Sequence, residues 1–455
     1  MMSGFTALIL AAGKGTRMKS QLPKVLHAVG GRPMLLRVLD AAEAAGALSS
    51  VVVVGFGAEE VQASVAGRGK TVVQAEQLGT GHAVMQAEPL LATMEETVMV
   101  LCGDTPLLRA ATLQKLLLAH RAGKAQATVL TAIMPDPSGY GRIIRDTAGR
   151  VVKIVEQKDA SAGEAAVREI NTGIYCFEKT ALFEALSAIT ADNAQSEYYL
   201  TDVIAILAGR GQTVAAMAAD EFAETMGINS RSQLAEAEAV VRQRKLAALM
   251  DAGVTIIDPA SVFVEDTVTV GPDTVLQPFT WLQGTTSIGS HCEIGPNTRL
   301  QDTVVGDHTV IHFSYTHQCV IGSGVTVGPY VHIRPDSNLA DGVKVGNFVE
   351  VKNSQVGAGS KLPHLSYIGD ADLGAGINIG CGTITVNYDG KKKHRTVVED
   401  NAFIGCNSNL VAPVTVGSGA YVGAGSTITK NVPPGALGVA RARQSNIEEW
   451  VERRR

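Results

Sequence analysis

Aromatic side chains are scarce in this 455-residue chain, at 5% of the total, while glycine reaches 48 residues. That imbalance suits a repeat built from small-residue turns. No apolar stretch approaches the eighteen or so residues needed to span a membrane. The one N-terminal candidate for a targeting segment, Phe5 to Ala12, lacks a basic lead and runs straight into Gly13-Lys14-Gly15, so it reads as a buried first strand. Neither sign of charge is in large excess, and a net charge of -5 argues against a general nucleic-acid binder. The cysteines, Cys102, Cys176, Cys292, Cys319, Cys381 and Cys406, are scattered without CxxC spacing. They read as reduced thiols of a cytosolic protein, and the spacing argues against structural zinc.

What the chain does have is length for two or three domains and 45% hydrophobic content to fill their cores. In its second half aliphatics recur every sixth residue: Val264, Val270, Leu276, Leu282, Ile288, Ile294 and Leu300; then Ile321, Val327, Ile333, Leu339, Val345 and Val351; then Ile404, Leu410, Val416, Val422 and Ile428. A period of six fits neither a helix nor a long strand, so each hexad is a short strand plus a turn, and three hexads make one coil of a parallel β-helix. Residues eighteen apart should then stack on one face of neighbouring coils, roughly 4.8 Å apart. Arg334 and Lys352 stand in that relation. Two cations so close repel unless an anion sits between or beside them.

The N-terminal half, over 1–231, alternates differently. Phe5 to Leu10, Val51 to Val54, Val98 to Leu101 and Ala127 to Ile133 read as strands, with helical spacing in Met34 to Ala45 and Ala111 to Arg121. This pattern predicts an α/β domain around a mostly parallel sheet, with ligands at the carboxyl ends of its strands. From Ser230 to Ala252 the chain is free of glycine and proline, which predicts one helix of about 35 Å at about 1.5 Å per residue. The domains expected are therefore 1–231, a connecting helix over 232–252, and a β-helix over 253–455.

Three stretches of the first domain carry polar chemistry. Leu10-Ala11-Ala12-Gly13-Lys14-Gly15-Thr16-Arg17-Met18 fails the dinucleotide fingerprint and the Walker A pattern, yet it leaves a small-residue turn whose N–H groups can face phosphate. Lys24 follows on the Leu22-Pro23 corner. Gln74 to His82 is an amide-rich loop able to read a base edge, or simply a solvated loop. Asp104 ends a buried strand, where it can hold Mg²⁺ against phosphates or cap the next helix.

The hexad rhythm slips between Val351 and Ile379, and after Val386 the stretch NYDGKKKHRT has no aliphatic and must leave the coil as a loop. Interruptions of a repeat gather on a functional face. His364 sits at the first slip, where it is either a solvated turn residue or a base beside a phosphate held by Arg334 and Lys352.

LAAGKGTRM, LPK, QAEQLGTGHA and a strand-end Gly-Asp together resemble the sugar-nucleotide pyrophosphorylases. Gly139 to Ile143, Val155-Glu156, Glu169 to Gly173 and Gly227 to Asn229 continue the likeness. With the hexapeptide half, the chain from 5 to 445 resembles the family of bacterial bifunctional N-acetylglucosamine-1-phosphate uridyltransferase/glucosamine-1-phosphate N-acetyltransferases. The resemblance implies a Rossmann-like nucleotidyltransferase domain, a left-handed β-helix, Mg²⁺, and a homotrimer whose acetyl pocket spans a subunit seam. It implies acetyl transfer from acetyl-CoA to glucosamine-1-phosphate, then uridylyl transfer from UTP to N-acetylglucosamine-1-phosphate. Two other readings compete with this: a single-activity nucleotidyltransferase with a regulatory coil, and a nucleotide sensor on a scaffold.

Residue by residue, the resemblance gives nucleotide contact to Leu10, Ala11, Ala12, Gly13, Gln74, Gly79, Thr80 and Gly103, and phosphate contact to the catalytic cations Arg17 and Lys24. Gly141, Glu156, Asn171 and Asn229 would hold the sugar phosphate, and Asp104 with Asn229 the metal. On the β-helix, His364 would be the base. Arg334, Lys352, Tyr367, Asn378 and Lys393 would hold the acceptor, with Asn387, Tyr388, Cys381, Cys406, Ala424 and Arg441 around acetyl-CoA. Cys381 and Cys406 stand where the family pattern has Ala and Ser. Lys393 is chosen from Lys391-Lys392-Lys393 by family register alone.

Overall fold

A computed structural model describes residues 4–455. The chain divides between Val241 and Arg242 into two compact units.

In the first unit, Phe5–Ala11 pairs in parallel with Ala47–Val54 on one side and Thr97–Cys102 on the other. Side chains alternate along these strands, so Leu8, Val51, Val53, Val98 and Val100 fill one core while Ile9, Val52, Val54, Met99 and Leu101 fill the opposite one. Both faces are covered, which is why the strands read as unbroken apolar runs. The sheet continues through Glu169–Glu178, Ala127–Ile133 and Val214–Ala218 beyond Thr97–Cys102, and through Lys70–Val73 beyond Ala47–Val54. Glu169–Glu178 runs antiparallel to both its neighbours. From Phe5–Ala11 the chain builds outward to one side, then crosses to the other at Thr97–Cys102. Ligands of open sheets bind at such a switch point. The helix Met34–Ala45 stops at Gly46, whose φ of 101° turns its N–H back to the carbonyls of Ala42 and Glu43.

The second unit is a left-handed parallel β-helix with three sheets of 11, 10 and 9 strands. The sixth-residue aliphatics point inward: Leu276, Leu282, Ile294, Leu300, Ile333 and Leu339 are fully buried. Each contributes about 1.5–3 kcal/mol relative to exposure. The strict spacing expected from the sequence needs correction. Val275 pairs with Glu293, three full hexads on, but Arg299 pairs with Tyr315, two places short of that, and Lys344 with Lys361, one place short. Hexads can shorten to pentads at a corner because only the inward aliphatic has to be kept. The extruded loop has the opposite effect and lengthens the coil that carries the chain from Asp372 to its partner Val397.

The helix expected near 232–252 runs Arg231–Asp251. Ala237 and Val241 pack with Val29, Met34, Leu107 and Ile228 in the first unit. Leu246 and Leu249 belong to the core of the β-helix, where Arg242 also lies 4.5 Å over the Phe263 ring. Among the described residues no helix is long and apolar enough to cross a membrane.

Candidate active sites

At the switch point the strand ends enclose a cavity of about 280 Å³, lined by Leu10, Ala11, Ala12, Gly13, Lys24, Gln74, Gly79, Thr80 and Asp104, with Gln77 and Glu197. Gly79 has a φ of 110°, and a Cβ there would stand 2.5 Å from the Tyr198 carbonyl oxygen. Only glycine admits that close approach. Gln74 is buried and donates from Nε2 to the Gly79 carbonyl at 3.0 Å, which fixes the direction of its carboxamide. Gly103 donates its N–H to the Leu10 carbonyl at 2.9 Å and ties the two strand ends together.

Asp104 is not a helix cap, because the helix Ala110–Ala122 begins well after it with Arg109 at the cap position. Its carboxylate instead pairs with the Lys24 ammonium, which also donates to Asn229 Oδ1 at 3.0 Å. The bond from Ile228 N–H to the Asp104 carbonyl, at 2.9 Å, brings Asn229 into place. Two hard oxygen donors thus face one cation, a donor set that fits Mg²⁺. Arg17 stands exposed on the short turn Thr16–Met18 and does not line the cavity.

Gly141, Glu156 and Asn171 come together: a Cβ on Gly141 would lie 3.5 Å from both Asn171 Cβ and Glu156 Oε2. Burial raises the Glu156 carboxyl pKa, partly offset by a hydrogen bond donated from Thr201 Oγ1 at 3.3 Å. A carboxyl with a raised folded pKa lowers stability as pH climbs above its unfolded range. Glu156→Gln is therefore expected to melt at higher temperature than wild type at pH 7, with the gain vanishing below about pH 4. The same variant should show a raised KM for the sugar phosphate.

On the β-helix, Arg334 and Lys352 stack as expected, since the flanking Ile333 and Val351 are in register. Their repulsion is met by protein carboxylates: Arg334 pairs with Glu350 at 2.8 Å, and Lys352 lies 4.0 Å from Asp370. Lys393 stands against Lys352 and, with burial, lowers its pKa. Three cations thus converge on two carboxylates. Asn387 is buried and donates to Tyr367 Oη at 3.3 Å and to Asp370, which brings it into the Tyr367 group. Asn378 lies on the adjoining sheet beside Lys361.

The extruded loop is ordered by its own bonds. Backbone N–H groups of Lys392 and Lys391, and the His394 ring, hold the Asp389 carboxyl down to about 2. The His394 N–H returns to the Asn387 carbonyl at 2.8 Å. Tyr388 remains exposed near the tip, where its hydroxyl donates to the Gly390 carbonyl at 2.7 Å.

His364 is exposed, and its Nδ1 faces Asn347 Oδ1 at 2.5 Å. A carboxamide oxygen only accepts, so Nδ1 carries a proton, and in the neutral ring the lone pair is on Nε2. Asn347, His364, Cys381, Cys406 and Ala424 each stand two places after a core aliphatic on successive coils, forming one outward column. Arg441 passes 4.0 Å from the Cβ position of Gly425, at the end of that column.

Residues 7–256 match the MobA-like NTP transferase domain, residues 259–366 the GMPPB C-terminal domain, and residues 395–430 the bacterial transferase hexapeptide of six repeats. A relative from Geobacillus sp. (strain WCH70), named Bifunctional protein GlmU, is 55% identical over 447 residues, which is 98% of this chain and 97% of its own. Another of that name, from Heliobacterium modesticaldum, is 56% identical and covers 99% of this chain and 98% of its own. The chain belongs to the bifunctional GlmU family.

Within that GlmU frame, several residues of the two sites carried no sequence signal. Glu197 and Thr201 reach the first site from a loop far along the chain. Glu350 and Asp370 carry no pattern that marks them as partners of the cations. Asn347 escaped because counting three hexads back from His364 lands on Gly346, whereas this coil is short by one place.

Proposed function

We propose that the β-helix, over 253–455, acetylates glucosamine-1-phosphate from acetyl-CoA, and that the sheet domain, over 1–231, then transfers a uridylyl group from UTP to N-acetylglucosamine-1-phosphate. The observation that carries this is the oriented His364 imidazole on the same β-helix as the Arg334, Lys352 and Lys393 cations. A coil serving only as a scaffold or regulator has no use for an aligned base and an anion cradle.

In acetyl transfer, Arg334, Lys352 and Lys393 hold the sugar phosphate, with Tyr367, Asn378 and Asn387 around the ring. Nε2 of His364 takes a proton from the amine as its nitrogen attacks the thioester carbon, and the CoA thiolate departs. Asn347 keeps Nδ1–H engaged and so stabilises the imidazolium. Tyr388, Arg441 and the backbone at Cys381, Cys406 and Ala424 border the cofactor.

In uridylyl transfer, Gln74 offers its carboxamide oxygen to the uracil edge, and Leu10 through Gly13 with Gly79 and Thr80 enclose the nucleoside. A phosphate oxygen of the sugar phosphate, placed by Gly141, Glu156 and Asn171, attacks the α-phosphorus while pyrophosphate departs. Asp104 and Asn229 would hold Mg²⁺, which would supply charge neutralisation to the transferring phosphates. Lys24 turns from that carboxylate to the phosphates, and Arg17 adds its charge from the adjoining turn. The protein works in the cytoplasm as a homotrimer built through the β-helix.

The test is a crossed assay on the full-length protein. Free CoA should appear from acetyl-CoA with glucosamine-1-phosphate and not with its N-acetylated form. Pyrophosphate should appear from UTP and Mg²⁺ with the N-acetylated sugar. CoA release without an amine acceptor, or none at all beside intact pyrophosphate release, rejects the acetyl half.

A further inference from the structure

Cys102, Cys176, Cys292 and Cys319 are chemically quiet. Burial pushes the thiol of Cys102 up to about 12 and that of Cys319 to about 11, and it raises Cys176 and Cys292 as well. Cys381 is partly exposed and Cys406 exposed; Cys102 is partly exposed too, but its thiol is engaged, donating to the Gly173 carbonyl at 3.4 Å. Accessible thiols are the ones that react, since the thiolate must form and meet its partner.

These two are also neighbours. Ile379 pairs with Ile404, so the residues two places on, Cys381 and Cys406, occupy the same position of adjacent coils. The Cys381 carbonyl accepts from the Asn407 N–H at 2.7 Å, which holds the two coils together at that corner. Neighbouring strands of a ladder lie about 4.8 Å apart, within the roughly 4.4–6.8 Å between Cα atoms that a disulfide spans. His364 stands one coil before this pair and Ala424 one coil after it, so the thiols lie between the base and the far end of the cofactor edge.

We propose that Cys381 and Cys406 form a reversible thiol pair, and that their oxidation to an intrachain disulfide closes the acetyl-CoA edge without affecting uridylyl transfer. The second half of this statement rests on the acetyl-transfer reading above. The oxidant is a small-molecule disulfide. The Cys406 thiolate attacks one of its sulfurs and expels a thiolate, giving a mixed disulfide. The Cys381 thiolate then attacks Cys406 Sγ and expels the second. Two protein thiols lose two electrons and two protons, and the small disulfide is reduced to two thiols. A bridge between these turns, with Cys406 exposed, is readily reduced again, as labile regulatory disulfides are.

The experiment treats the reduced, full-length protein with glutathione disulfide and follows peptide masses, CoA release and pyrophosphate release. The expected result is a Cys381–Cys406 peptide cross-link with loss of two hydrogens, a fall in CoA release of about tenfold or more, unchanged pyrophosphate release, and recovery with dithiothreitol. The double variant Cys381→Ala/Cys406→Ser, compared with its own untreated form, should lose no CoA release on oxidation. Three results overturn the proposal: a stable glutathione adduct on Cys406 with no cross-link, a cross-link that leaves CoA release unchanged, or equal sensitivity in the double variant. The mass readout does not depend on acetyl transfer, so a protein that cross-links but releases no CoA even when reduced points to failure of the functional reading instead.

Discussion

His364→Ala is expected to lower acetyl transfer by about 10²–10⁴-fold, the usual worth of a positioned general base, while pyrophosphate release from UTP stays at the wild-type rate. The imidazole is exposed, so its removal leaves no cavity in the aliphatic core and the β-helix should fold as before. Asn347→Ala should give a smaller fall that sits in kcat rather than KM, because the ring stays but loses the bond that fixes its tautomer. Steady-state CoA release across pH separates the two. In Asn347→Ala the acidic limb of the profile, where protonation silences the base, moves to lower pH as the imidazolium loses its acceptor, whereas His364→Ala loses that limb altogether. If His364→Ala keeps full activity, the base lies elsewhere.

Asp104→Ala carries the second large effect. It removes a charged oxygen from the metal position and the partner of the Lys24 ammonium. Metal stabilisation of transferring phosphates is worth several kcal/mol, so pyrophosphate release should fall by about 10³-fold or more, with half-saturation moved to higher Mg²⁺. Lys24→Ala should behave in the opposite sense toward the metal. Its ammonium no longer competes for Asp104 and Asn229, so Mg²⁺ saturates at lower concentration even though turnover drops. Magnesium titrations of both variants, with CoA release as the folding control, test the pair together. A Lys24→Ala protein that needs more magnesium than wild type contradicts the competition.

Much of this molecule could be read from residue order because its regularities are local. Ala127–Ile133 and Met34–Ala45 fall where their apolar patterns place them, since both faces of the sheet and one stripe of the helix are buried. The stacking of Arg334 on Lys352 followed from a fixed period in a region where the coil does keep three full hexads. Other features depend on coil length, which the core aliphatics do not fix. The stretch from Leu300 to Ile321 passes through Val305, Ile311 and Thr316 at intervals of five and six, and a strict count of six loses the register there. The partners of the cations were hidden for a related reason. Glu350 reaches Arg334 diagonally, from beside the position stacked on it, and Asp370 approaches Lys352 from the next coil. In the sheet domain, the cavity-lining Glu197 comes from a loop whose proximity to Gly79 only the tertiary fold reveals.

The helix Arg231–Asp251 bears on how this chain can be divided. A gene cut before it leaves Val29 and Met34 without Ala237 and Val241, and a cut after it strips Leu246, Leu249 and Arg242 from the first coils. Neither half owns the whole segment. Separately expressed halves that each keep their share must be split in mid-helix, at Val241 and Arg242, where each piece retains the side chains its own core requires.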